Sequence, residues 1–128
     1  MAVPVPDQWA DRARYDLDTA RAMLAAGRWV YVLFCCQQAV EKALKAIIIA
    51  RTGKLAPRIH SLPRLAELAG MRPDEARMDF MAELSAFYIQ SRYPEEIESL
   101  ADTASHEKAD AALRTAEETV EWLLSMLK

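Results

Sequence analysis

Glycine is scarce in this chain, with three residues in 128, so helix is the natural default for its regular parts. Cysteine is nearly as rare. Cys35 and Cys36 are neighbours on a helical segment and can neither bridge each other nor frame a metal site. They read as two small buried hydrophobes in a reducing cytoplasm, and no metal or other cofactor is expected. There is no Gly-rich phosphate loop, no paired Cys/His ligand spacing and no nucleophile elbow. The longest apolar runs, VYVLFCC and AIIIA, are far too short to span a bilayer, which excludes a membrane-embedded role. The start, MAVPVPDQW, has neither a basic n-region nor a long apolar core and does not read as a secretory signal. A net charge of −3 argues against indiscriminate nucleic-acid binding.

What is present is a soluble composition, 52% hydrophobic and 27% charged, in a length that fits one domain over residues 1–128. Its centre is WVYVLFCCQQAVEKALKAIIIA. Trp29, Leu33, Cys36, Val40, Ala43, Leu44 and Ile47 recur three or four residues apart, which predicts one long helix. Tyr31, Phe34 and Cys35 fall on the other face, so its first half is apolar nearly all round and should have neighbours on every side. Further along that face come Gln38, Glu41, Lys42 and Lys45, so the helix is expected to begin buried and end presenting polar groups.

Around that centre the chain predicts four further helices. The first runs from an Asp7 N-cap to about Ala26 on the stripe Trp9, Ala13, Leu17, Ala20 and Leu24, and Gly27 stops it. The central helix ends near Arg51. A short helix capped by Ser61 carries Pro63 in its first turn and stops at Gly70. Pro73 and Asp74 open the next, which Pro94 ends by pushing Tyr93 out of the helical region. PEEIESLADTAS reads as an acidic connection, and Ser105 or Thr103 caps the last helix. The expected fold is all-α: an antiparallel up-and-down bundle of about five helices, four long and one short.

Charge is unevenly spread. From Lys42 to Arg64 there are six basic residues and no acid, and from Glu95 to Glu121 nine acids against Lys108 and Arg114. His60 lies in the basic segment just before a helix start, where free N–H groups favour an anion. Arg92 leaves a helix one turn after Tyr88, followed by Tyr93. If these groups converge beside the central helix, Gln38, Glu41 and Lys42 would complete a polar pocket. The plainer alternatives are a capping histidine, an arginine clamped by Glu95 or Glu96, and basic residues that only solvate the surface. His106, among Ser105, Glu107 and Asp110, reads as helix surface.

Four pieces, in order, resemble the HEPN family of nucleotide-binding domains. They are Trp9, Ala13, Asp16 and Leu17 of the first helix, QQAVEKALKA, His60-Ser61-Leu62, and Tyr88 followed by Ser91-Arg92-Tyr93-Pro94. The resemblance implies an antiparallel bundle, homodimers, and prokaryotic pairing with a small nucleotidyltransferase, often as a toxin–antitoxin system. Many relatives are metal-independent ribonucleases with an Arg-x4–6-His motif. This chain departs from it: eight residues separate Arg51 from His60, one separates Arg58 from His60, and thirteen separate Arg92 from His106. Five residues separate Lys54 from His60, but lysine cannot copy the planar fork of arginine. The expectation is therefore a cytoplasmic binding and interaction module with a possible nucleotide or RNA phosphate site at His60, Arg92, Tyr93, Lys42, Gln38, Glu41 and Tyr88. The rival expectations are a ribonuclease toxin using His60 and Arg92, and a purely structural dimer.

Overall fold

The computed structural model describes residues 4–127. Among them are six α-helices: α1 (Val5–Ala25), α2 (Trp29–Thr52), α3 (Leu62–Leu68), α4 (Glu75–Ser91), α5 (Pro94–Thr103) and α6 (His106–Leu124), with a 3₁₀ turn at Ser125–Leu127. The class is all-α and the assembly a helical bundle, with one helix more than the sequence suggested. The extra helix is α5, which the acidic stretch had masked. Pro94 does end α4, but it also sits in the first turn of a new helix, where its missing N–H costs nothing. Glu95 and Glu96 then favour the positive end of the helix dipole.

Helix starts follow local chemistry. Ser61 accepts from the Arg64 N–H, Asp74 from the Arg77 N–H, and Ser105 from the Lys108 N–H. At α1 the expectation fails by a few residues. The helix begins at Val5 behind an extended Pro4, Pro6 lies inside it, and Asp7 is a first-turn acid rather than the cap. Gly53 ends α2 in the left-handed region, φ 68°, which a residue with a Cβ seldom adopts.

α2 packs against all five other helices and is the axis of the core. Asp16 of α1 meets Lys42, and Trp9 of α1 meets Lys45, so residues earlier in α1 face residues later in α2. α6 lies against both, its Leu113, Ala116, Val120 and Leu123 joining Ala13, Leu17, Val40 and Leu44 in one apolar cluster. The burial gradient along α2 is the reverse of the expected one. Tyr31 is exposed and Leu33, Phe34 and Cys35 are half-buried, whereas nearly every residue from Ala39 to Ile48 is buried, Glu41 and Lys45 included. The reason is that α3 and its preceding loop lie against the second half of α2, a long-range contact that helical periodicity does not encode.

Leu44 is fully buried, whereas Leu33 is not. Leu44→Ala should cost about 2–5 kcal/mol in urea melts, the range for a leucine whose removal leaves a cavity, and Leu33→Ala clearly less. Equal losses would mean that the second half of α2 is not the core.

Candidate functional site

The site grows from one carboxylate. Glu41 is buried in the middle of α2, and helical spacing places Gln37 and Lys45 one turn to either side of it. Lys45 Nζ lies 3.0 Å from Glu41 Oε2, and the Gln37 amide reaches Oε1 at 3.4 Å. His60, at the end of the loop before α3, places Nδ1 3.0 Å from the same Oε1, which as a carboxylate oxygen can only accept. Gln37 also donates to the His60 carbonyl at 3.0 Å, so both the backbone and the ring of His60 are tied to α2. Ser85 of α4 closes the group. Its hydroxyl points to Gln37 Oε1 at 3.5 Å and accepts from the Leu62 N–H, the first free donor of α3, at 2.9 Å. Every member thus spends its buried polar atoms on another member, which is what allows a charge to sit in a core.

On the solvent side the ring of His60 is about half exposed and lies 5.4 Å from that of Tyr88. Tyr88 stacks on Phe34 at 5.6 Å, and the Arg92 guanidinium stands 5.8 Å from the Tyr88 ring. Tyr88 is therefore the wall between His60 and Arg92, and Phe34, on the face of α2 away from its inner stripe, backs that wall. Arg92 makes no ion pair among the described residues, so the Glu95 and Glu96 clamp is absent, and its cation is available to an anion.

Four of the seven sequence candidates, His60, Glu41, Tyr88 and Arg92, are linked in this way. The other three are not. Lys42 turns to α1 and pairs with Asp16 at 2.6 Å, because its place on the helix faces that neighbour. Gln38 is half-buried, and its side-chain oxygen has no hydrogen-bond partner among the described residues. Tyr93 precedes the first turn of α5 without a side-chain capping bond and is exposed. Sequence reasoning missed Gln37, Lys45 and Ser85 as supports. The first two were readable as polar residues at four-residue spacing around Glu41; Ser85 carried no local signal. His106 meets the edge of Trp29 at 5.2 Å and takes no part.

The cysteines stay outside this chemistry. Burial, then Cys35 and Glu117, pushes the Cys36 thiol up to about 12, and burial followed by Asp16 raises Cys35. A raised thiol holds its full contribution to stability below the ordinary thiol range and loses it only as the pH climbs through the folded value, so neutral pH leaves both inert. No helix among the described residues is long and apolar enough to cross a membrane, and no cluster of His, Cys, Asp and Glu there could hold a metal ion.

Lys45 is the only cation inside the buried group. Lys45→Met should therefore leave Glu41 short of a partner and cost about 3–5 kcal/mol by denaturant unfolding. A loss under about 1 kcal/mol would show that solvent, not Lys45, satisfies the carboxylate.

Comparison with known proteins gives consistent matches. A family model for the HEPN domain matches residues 7–126. Among solved structures, TT1696 from Thermus thermophilus is 27% identical, with a TM-score of 0.77 over 94% of this chain and 96% of that one. ST0689, described as an archaeal HEPN homologue, has a TM-score of 0.78 at 23% identity, over 98% of this chain and 100% of that one. No curated protein matches.

Proposed function

The chain belongs to the HEPN domain family, and from that premise we propose that it is a binding and interaction module whose ligand is a nucleotide or an RNA phosphate. One observation carries the reading: buried Tyr88 stands between a half-exposed His60 ring and an unpaired Arg92, bringing a forked cation and an imidazole face to one surface. A phosphate would be held by the Arg92 fork, and a base would stack on the exposed face of the His60 ring, which Tyr88 backs from below. The buried Glu41 network supports this role because it fixes the position of His60 before a ligand arrives.

Homodimerisation belongs to the same proposal. Tyr31, Ile89, Tyr93 and Ile97 are exposed around the start of α2 and the α4–α5 junction, where a second copy would cover them. The crossing of Asp16 with Lys42 and of Arg14 with Glu121 supports an antiparallel up-and-down arrangement of the long helices. A cytoplasmic setting and a small nucleotidyltransferase partner in a prokaryotic toxin–antitoxin-like pair rest on the family resemblance.

A second reading, a metal-independent ribonuclease, is favoured by a specific contact. Glu41 takes the proton side of His60 Nδ1, which leaves Nε2 free for proton transfer. Against it stands the absence of an Arg-x4–6-His segment.

Binding of a mononucleotide or short RNA, measured by calorimetry, should weaken as salt rises. Arg92→Ala should abolish it while leaving Tm nearly unchanged, since Arg92 anchors no ion pair. A folded wild type that binds no nucleotide at low salt, with Arg92→Ala lowering Tm, would make Arg92 structural. RNA cleavage that disappears in both His60→Ala and Arg92→Ala would instead favour the ribonuclease.

A further inference from the structure

Away from the His60 site, α4 and α6 both pack on α2 but not closely on each other, and a cleft of about 470 Å³ lies between them. That volume lies within the range of small-molecule sites. Its two walls differ, large aromatic rings on α4 facing small side chains on α6. On α4, Phe80, Glu83 and Phe87 follow one another at helical spacing; on α6, Lys108 and Ala112 do the same. Leu33 of α2 and Leu100 of α5 complete an apolar lining. This explains why Leu33, on the inner stripe by sequence, is only half-buried: it faces the cleft.

Each wall carries a single charge. Glu83 and Lys108 line the same space, yet neither makes an ion pair among the described residues, so the cleft holds two opposite charges apart above an apolar floor. A ligand with one charge would answer one wall and leave the other opposed or unmatched. A ligand carrying both, with an apolar body, would match all three features. We propose that this cleft binds a free α-amino acid with a large aliphatic or aromatic side chain. The carboxylate meets Lys108 in the first turn of α6, where the helix dipole also favours negative charge. The ammonium meets Glu83, and the side chain lies against Phe80, Phe87 and Leu33. The site is separate from His60 and Arg92 and holds whether or not a nucleotide binds there.

The test titrates the folded protein with L-phenylalanine and L-leucine and follows the methyl resonances of Leu33 and Ala112. Two single-charge analogues, 3-phenylpropionate and phenethylamine, serve as comparisons. The expected result is saturable binding of the amino acids, with each analogue weaker by roughly tenfold or more, the effect of losing one charge-assisted contact. Lys108→Met and Glu83→Gln should each lose a similar factor without changing Tm, because both residues are exposed. Ala112→Phe, which fills the cleft, should abolish binding; if it fails to fold, the two surface variants carry the test alone. Unmoved methyl resonances at millimolar amino acid would overturn the proposal, as would equal affinity for the amino acid and both analogues.

Discussion

A carboxylate buried at the centre of a helical bundle must be matched atom by atom, and the arrangement around Glu41 follows from that requirement. An unmatched buried charge costs several kcal/mol, a large part of the stability of a domain this size. Lys45 and Gln37 come from the same helix, so two of its partners need no tertiary structure at all. The third is His60, which arrives from a loop and is held there by backbone and ring together. Satisfying Glu41 therefore fixes where the loop between α2 and α3 lies. Ser85 then links that loop to α4 through the first N–H of α3. A local need for hydrogen bonds thus sets the relative positions of three elements, and it places His60 beside Tyr88 as a consequence.

The surface side depends on the same geometry. Tyr88 touches Phe34, His60 and Arg92, so α2, the loop and the end of α4 all meet at one ring. The polar group below keeps the histidine in place, and the arginine above stays unpaired. Pre-set side chains lose less freedom when a ligand binds, which is the physical advantage of building such a site on a rigid network. Glu41 is in this view a positioning residue, acting through His60 rather than touching a ligand.

Much of this was legible in the sequence, for reasons that differ by element. The stripe Trp29, Leu33, Cys36, Val40 and Leu44 gave the central helix because helical periodicity is a local property. Ser61, Asp74 and Ser105 gave helix starts because capping needs only residues three positions apart. That His60 and Arg92 flank one ring depends on α2 and α4 being neighbours, which no local pattern encodes. Two errors share one cause. Charge in a sequence suggests solvent, which points Glu41 and Lys45 to a wet face and makes Pro94–Thr103 resemble a connection. Glu41 and Lys45 neutralise each other inside the core, and α5 uses its acids on its outer face while Ile97, Leu100 and Ala101 lie along the two clefts beside it. Ser85 could not be found from sequence, since its partners lie 23 and 48 residues away.

The central claim, that buried Glu41 fixes the ring of His60, is open to direct measurement by nitrogen-15 NMR of the imidazole at a pH where it is neutral. The account predicts that His60 is held in the tautomer protonated at Nδ1, the nitrogen that faces Glu41, and that Glu41→Leu releases it to the mixture seen for free histidine. A wild-type His60 protonated at Nε2, or already averaging between tautomers, would contradict it.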